Sequence, residues 1–299
     1  MHESTAVAEL SGWLPEVLAP ATHLSPIPNV LARCSMFAAR TGRGAVGKIV
    51  YRKRTLLAAY GGYEIWQEAG SPHLTQDHLD IWLLLIKASY DNPLNQSDKT
   101  VTVSFGYREM LRHLGKTGGG ADMAWLRDKL TEMRMATYRI TCGEQLTVTG
   151  LVHKFTQSPG EDGRYEVLLD AELRNLFSAG WTQLNLAHRL ALAGRTSAHV
   201  LAQWLHAFYS THRSPVPLGT QKIQMLCGRA EMEAGKFNKL LQEAIEHINN
   251  STIGWKCEVN NGVVSVKKGS HTKLAQRAGH EKSSRPRYDL VAEEDEEDI

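Results

Sequence analysis

The chain is poor in the residues that carry covalent and metal chemistry. It has four cysteines in 299 residues, Cys34, Cys142, Cys227 and Cys257. No two stand at CxxC spacing, which argues against a cysteine-based zinc site or a dithiol redox pair and predicts reduced thiols in a cytoplasmic protein. The thirteen histidines are scattered. None forms HExxH, and no two flank a single apolar residue in a strand, which disfavours a metal-dependent nicking enzyme. His199 and His206 stand two turns apart on one predicted helix, too far to share a zinc without other ligands. There is no GxSxG. His113-Leu-Gly-Lys-Thr has the end of a phosphate loop, but that motif needs glycine where Met110 stands. The chain therefore reads as non-enzymatic, with no metal and no cofactor. No apolar run approaches the ~18 residues of a membrane span. No basic segment leads into an apolar one at the N-terminus, so no secretory signal is expected.

Charge is nearly balanced only on average. The formal net charge is +2, yet residues 293–298 read EEDEED. Removing those six negative charges leaves +8 on residues 1–292. Just before them, residues 267–287 carry Lys267, Lys268, Lys273, Arg277, Lys282, Arg285 and Arg287. A basic body followed by a basic linker and an acidic end permits nucleic-acid binding. The acidic run is either a solubilising end or a segment that folds back on the basic surface.

What is present is a pattern written twice. The first copy runs over Phe105–Gly143, with a strand, a helix around YREMLRHLG, a Gly-rich turn, a helix around MAWLRDKLTEM, and strands about a turn at Gly143. The second runs over Val216–Gly269, with a helix around KIQMLCG, a helix around KFNKLLQEAIEHI and a hairpin tipped by Asn260-Asn261-Gly262. In each, a hydrophobic helix ends on glycine, Gly115 or Gly228. About ten residues later an aromatic, Trp125 or Phe237, opens an amphipathic stretch. Helix, turn, helix and basic β-hairpin outline a winged helix.

Around these copies the chain divides by composition. Pro15, Pro20, Pro26 and Pro28 break regular structure, so residues 1–32 read as a loose arm, within which Glu9–Leu14 is a short apolar patch. Strands are expected over 48–52, 56–60 and 63–66, with a basic turn Arg52-Lys53-Arg54 between the first two. Residues 75–90 form a helix apolar nearly all round, hence core. Further strands are expected over 136–141, 145–156 and 164–169, a turn over 158–163, a short helix over 170–180, and a strand or extended link over 181–186. Residues 197–211 form an apolar-faced helix, and residues 270–299 read as disordered. The resulting architecture is α+β, with two tandem winged-helix domains between flexible arms. These are an N-terminal arm (1–32), a first domain for backbone contacts and dimerisation (33–190), a sequence-reading second domain (191–269) and a basic then acidic tail (270–299).

The two outer helix faces differ chemically. In the second copy Phe237, Leu240, Leu241, Ala244, Ile245 and Ile248 share one stripe. The other side carries Gly235, Lys239, Gln242 and Glu246, flanked by Lys236 and Asn238. Lysine can donate to guanine, and asparagine and glutamine can pair bidentately with adenine. Gly235 lets the backbone come close to DNA. Lys222 and Arg229 precede this helix, and Lys256, Lys267 and Lys268 lie in the hairpin. In the first copy the outer face holds Ala121, Ala124 and Asp128, with Arg127, Lys129 and Arg134 at its sides. Small residues read bases poorly, whereas basic flanks suit phosphates, which fix position without carrying sequence. Lys116 and Thr117, in the preceding turn, are further phosphate candidates. Ala121, Ala124, Trp125 and Met135 offer a small apolar surface suited to a dimer contact. The alternative for each face is an ordinary solvated helix side.

Blocks ARCSMFAAR (32–40), VSFGYREMLRHLG (103–115), LVHKF (151–155), VLLDAELRNLFSAG (167–180) and SAHVLAQWLHAFYSTHRSPVPLGTQKIQMLCG (197–228) stand in the same order as in the TrfA family of plasmid replication initiators, which this chain resembles over roughly residues 32–268. The resemblance implies a two-winged-helix initiator that binds direct repeats (iterons) at a plasmid origin as double-stranded DNA, promotes melting of AT-rich DNA and recruits the host helicase. It also implies contact with the host initiator DnaA and a homodimer in the DNA-free state. The family's clamp-binding pentapeptide, Gln-Leu-Ser-Leu-Phe, is absent as such; Glu9-Leu-Ser-Gly-Trp13 keeps only Leu-Ser and an aromatic. A winged-helix transcriptional repressor, including an autorepressor, is the alternative reading.

Overall fold

Pro26 and Pro28 stand inside the first strand, β1 (Leu24–Pro28), where a loose arm was expected. A proline at every second position leaves the missing N–H groups on one edge, so the other edge can still pair. That edge pairs antiparallel with residues 181–185, from Leu24 opposite Asn185 to Pro28 opposite Trp181. The computed structural model describes residues 14, 18–20, 23–41, 50–91, 93–96, 100–157 and 163–269. The expected turn at 158–163 (apart from Gly163), the tail from 270 and the segment Glu9–Trp13 lie outside them.

After β1 come a one-turn helix α1 (Asn29–Ala32), β2 (Phe37–Ala38), β3 (Thr55–Tyr60), β4 (Tyr63–Gln67), β5 (Leu74–Thr75) and the long helix α2 (Gln76–Asp91). Next comes β6 (Pro93–Gln96), and the first copy of the repeated pattern lies within β7 (Thr100–Gly106), α3 (Tyr107–His113), α4 (Gly120–Met135), β8 (Tyr138–Cys142) and β9 (Gln145–Thr149). Then come β10 (Val152–Gln157), β11 (Arg164–Asp170), a 3-10 helix over Ala171–Ala179, β12 (Trp181–Asn185) and α5 (Leu186–Ala191). The second copy is α6 (Ser197–Ser210), β13 (Leu218–Gly219), α7 (Thr220–Leu226), α8 (Ala234–Asn250), β14 (Lys256–Asn260) and β15 (Val263–Lys267).

The expected single strand over 145–156 is two strands in two different sheets. The break is at Gly150, where an added Cβ would lie 2.9 Å from the Ala136 carbonyl oxygen. Strand β9 therefore closes the sheet β3-β4-β8-β9, while β10 opens the sheet β10-β11-β7-β6. Of the strand expected over 48–52, the described part is a single bridge from Val50 to Pro72.

Two hydrophobic cores result. The first surrounds α2, whose Leu79, Ile81, Trp82, Leu83, Leu85 and Ile86 are buried. Each such side chain contributes about 1.5–3 kcal/mol on burial. Leu14 and Leu18 dock into the same core, so part of the apolar N-terminal patch has its partner within the chain. The second core gathers Leu201, Trp204, Leu205 and Phe208 of α6, Phe237, Leu241 and Ile245 of α8, and Trp255, Val264 and Val266 beside or in the hairpin.

Buried polar groups tie these parts together. His78 on α2 accepts the Thr75 backbone N–H at Nδ1 (2.9 Å), so its proton sits on Nε2, which donates to Glu132 on α4 at 2.8 Å. Lys129 donates to the same carboxylate oxygen at 2.8 Å. Burial alone would raise the Glu132 carboxyl, but bonds from His78 and Lys129 outweigh it and hold it down at about 2. Burial pushes His78 below its ordinary value, so the ring is neutral. Between the cores, Arg189 of α5 is 1% exposed. It donates to Asp80, to Gln76 Oε1 at 2.9 Å and to the Gln203 carbonyl at 3.2 Å. Gln203 of α6 returns a bond to Asp80 at 3.1 Å.

Two predictions follow from these groups. Arg189→Ala leaves a carboxylate at Asp80 without its charge partner, and urea melts should show a loss of about 3–5 kcal/mol. The second concerns acid. His73 and His212 are each lowered to about 4, mainly by burial, from 6.5. The unfolded chain therefore binds more protons between those values, and stability falls as pH drops from about 6.5 towards 4. Below that, Glu132 adds a further loss between 4.5 and about 2. His73→Phe and His212→Phe should flatten the first window when midpoints are compared at pH values on either side of it. An unchanged slope in both variants contradicts the assignment.

Candidate nucleic-acid interface

The second helix–turn–helix unit is α7 and α8, joined by a turn where α7 stops. Gly228 at φ +77 ends it, its N–H donating to the Met225 carbonyl at 3.1 Å while the Arg229 N–H donates to that of Gln224 at 2.9 Å. That pairing is a Schellman cap, which needs a left-handed residue and so favours glycine. Glu233 then caps α8 by accepting the Gly235 N–H at 3.0 Å. Phe237, Leu241, Ala244, Ile245 and Ile248 bury one side of α8. Gly235, Lys236, Asn238, Lys239, Gln242 and Glu246 are exposed on the rest. Lys236 lies 4.0 Å from Glu233 and remains 79% exposed.

Strands β14 and β15 form the following hairpin, and β13 adds to β15, giving the order β13-β15-β14. Asn261 at φ 51 and Gly262 at φ 73 make the turn, as a two-residue hairpin of this sequence requires. Lys256 is registered opposite Lys267, and both are exposed. Like charges placed opposite cost up to about 1 kcal/mol, which a nearby anion would relieve. The pair stands at the base of the hairpin, on the order of 13 Å from its tip. The tip itself, Asn260 and Asn261, is exposed and uncharged.

The first unit repeats the helix cap. Gly115 at φ +67 donates to the Arg112 carbonyl at 3.0 Å, and the Lys116 N–H to that of Leu111 at 2.8 Å. Lys116 then lays its ammonium 3.8 Å from the centre of the Trp125 ring. Thr117 donates to Asp122 at 2.8 Å, and the Gly118 N–H to the same oxygen at 3.1 Å. The Thr117 bond is the main reason the Asp122 carboxyl is held below its ordinary range. Arg127 and Arg134 are exposed along α4.

The model of the family described as TrfA protein matches residues 9–268. The chain belongs to the TrfA family. A TrfA relative, the plasmid replication initiator protein TrfA of Escherichia coli, is 20% identical over 276 residues, covering 89% of this chain and 68% of the relative. The crystal structure of domains 2 and 3 of RctB superposes with a TM-score of 0.52 at 12% identity, covering 80% of this chain and 98% of that one. That likeness concerns the fold alone.

Within this TrfA-family chain, the expected contact residues sort into three groups. Lys222, Gly235, Lys236, Asn238, Lys239, Gln242, Lys256 and Lys267 are exposed in the second unit, and Arg127 and Arg134 in the first. Lys116 and Thr117 are held at the N-terminus of α4 by Trp125 and Asp122. Three others are corrected. Lys129 is 8% exposed and bonded to Glu132. Arg229 is part-buried and donates to the Ala39 carbonyl at 2.6 Å, which ties the second unit to the chain near β2. Lys268 donates to the carbonyls of Ser210 at 3.3 Å and His212 at 2.5 Å, and burial lowers it to about 8. It fastens the end of the hairpin to the end of α6.

Of the expected dimer surface, Ala121 and Met135 are exposed and Ala124 is half-buried. Trp125 is half-buried against the first core and lies under Lys116, so it is not bare apolar surface. Sequence reasoning did not single out Leu146 and Val148, which are 52% and 53% exposed on edge strand β9. Alternation along Gln145–Thr149 was the available signal.

Proposed function

We propose that this chain is a non-enzymatic plasmid replication initiator that binds repeats in double-stranded origin DNA. The observation that carries the reading is the exposed row Lys236, Asn238, Lys239 and Gln242 on α8, in a chain of the TrfA family. The order α6, β13, α7, α8, β14, β15, with β13 joined to β15, supports a winged-helix reading of the second unit, with α8 in the major groove and polar side chains at base edges. The first unit, as a second winged helix, grips the backbone through Arg127 and Arg134. Distortion of the bound DNA supplies part of the melting energy, cheapest at flexible AT-rich steps. Recruitment of the host helicase and of DnaA, and a dimer in the DNA-free state, belong to the same proposal.

The decisive test supplies the gene in trans to a plasmid carrying only the candidate origin. Maintenance of that plasmid supports an initiator. Loss of it together with repression of a promoter bearing the same repeats supports a repressor instead.

Lys239→Ala should cost about 1–3 kcal/mol on repeat DNA and relax preference at one or two bases. Arg127→Ala should weaken binding to all duplexes alike and lower the salt slope by about 1. Titrations on repeat and scrambled duplexes at several salt concentrations distinguish the two, and equal loss of preference in both variants defeats the division of labour.

For the dimer, the exposed side of α4 around Ala121, Ala124 and Met135 is the proposed contact. DNA that selects monomer then dissociates the dimer by mass action. Ala124→Glu should shift sedimentation towards monomer. An unchanged association constant places the dimer contact elsewhere.

A further inference from the structure

The turn between the helices of the second unit does not face solvent alone. A Cβ on Gly228 would lie 3.0 Å from the Cβ of Ala38 and 3.1 Å from that of Ser35. The Ala39 N–H donates to the Cys227 carbonyl at 2.9 Å, and Arg40 donates to that of Gly228 at 2.9 Å. The Arg40 guanidinium also reaches Glu231, just ahead of α8, at 2.7 Å. Segment 35–40, belonging by sequence to the first unit, thus lies against the loop that leads into the reading helix.

Residues from a second stretch join it there. Strand β2 pairs in parallel with β5, Phe37 opposite Leu74. Ahead of β5, Pro72 bridges to Val50, the Tyr51 N–H donates to the Ser71 carbonyl at 3.0 Å, and the Tyr51 ring stacks on His73 at 3.7 Å. Burial chiefly raises the Tyr51 hydroxyl to about 12 and lowers His73 to about 4, and the charges of Arg40 and Glu231 act on both. The stack therefore lies within electrostatic reach of the Arg40–Glu231 pair. Immediately after Tyr51 come Arg52, Lys53 and Arg54, all exposed. Arg54 pairs with Glu68 at 3.3 Å. Arg52 and Lys53 have no ion pair among the described residues.

The charge around this point is only partly compensated. Arg40 and Arg229 lie at the turn ahead of α8, where the carboxylates are Glu231, paired with Arg40, and Glu233, the cap of α8, and Arg52 and Lys53 follow Tyr51 directly in the chain. Burial, and then the neighbouring Arg40, lower Arg229 from its ordinary value, and its Nη2 is buried without a hydrogen-bond partner. Crowded cations of this kind repel one another unless an anion lies close, and a phosphate backbone supplies one at each nucleotide.

We infer that the Arg52–Lys53 turn is a DNA-backbone contact that extends the surface of α8 from the first unit, gripping phosphates beside the groove that the N-terminal end of α8 enters. The inference rests on the reading of the chain as a DNA-binding protein. It assigns the turn an anionic, sequence-independent partner, because two flexible cations on a loop fix position and read no bases.

The test uses the full chain with Arg52→Gln and Lys53→Gln combined, titrated against a scrambled duplex and a duplex carrying the origin repeats at several salt concentrations. The double variant should bind both duplexes roughly tenfold more weakly at low salt and lose about two from the salt slope, with sequence preference and thermal stability unchanged. Arg54→Gln, whose charge already faces Glu68, should change the slope by less than either of the other two alone. A cleavage reagent attached at Lys53→Cys should cut the backbone at the edge of the footprint adjoining cuts made from Lys236→Cys. If wild type binds duplexes and the double variant keeps its slope, or if cutting from position 53 is absent, the turn is no contact while the DNA-binding reading stands. If wild type binds neither duplex, that reading falls first and this inference with it.

Discussion

The arrangement of the two units depends on one buried guanidinium. Arg189 joins Gln76 and Asp80 of α2 to the Gln203 carbonyl of α6. Gln76 in turn donates to the Phe37 carbonyl at 2.5 Å, and Gln203 donates to both Asp80 and the Arg189 carbonyl. Every member therefore has partners on an element it does not belong to. A buried ion pair of this kind adds little net stability over an apolar filling, but breaking it is costly. Its bonds tie α2, α5 and α6 to one another directly.

Other bonds run along the same seam. Arg33 donates to Thr211 through its side chain and carbonyl at 2.7 and 2.9 Å. Trp204 donates its indole N–H to the Cys34 carbonyl at 3.2 Å. With Arg40 and Arg229 they lace residues 33–40 to the helices of the second unit. Two helix–turn–helix units locked at fixed spacing meet a duplex differently from two on a string. Their phase is set by the protein, so any mismatch with the duplex's own repeat must be taken up by the DNA, where flexible steps yield most cheaply.

Much of this was legible in the residues. The periodicities placed α2, α4, α6 and α8, Asn261-Gly262 placed the hairpin turn, and Gly115 and Gly228 marked two helix ends that share one cap geometry. Less legible was whatever depends on a distant partner. The prolines of β1 read as a break because nothing local shows that 181–185 supplies the pairing edge. Lys129, Arg229 and Lys268 carry the same charge as Arg127 and Lys267, and only the tertiary fold decides that the first three are spent on a carboxylate and on carbonyls. Lys129 gave a local hint, since it lies next to Leu130, which is buried, and three residues before Glu132. The basic turn at 52–54 was visible, but the connection from Tyr51 through β5 and β2 to the turn at Gly228 is one no local pattern contains.

The repeated pattern also ends in different sheets, and that asymmetry bears on how the two copies can act. In the second copy the strand ahead of the helices, β13, closes onto β15, so the hairpin belongs to its own unit. In the first, the corresponding strand β7 pairs with β6 and β11 instead, and hairpin β8–β9 is drawn into a four-stranded sheet by β4. That hairpin carries Leu146 and Val148 outward, where the second carries Lys256 and Lys267. An apolar hairpin fixed in a sheet has little attraction for phosphate, whereas paired lysines gain from it. The exposed cations on the helices of the first copy are Arg108 and Arg112 of α3 and Arg127 and Arg134 of α4, and in the proposed function these hold the backbone while α8 faces the bases.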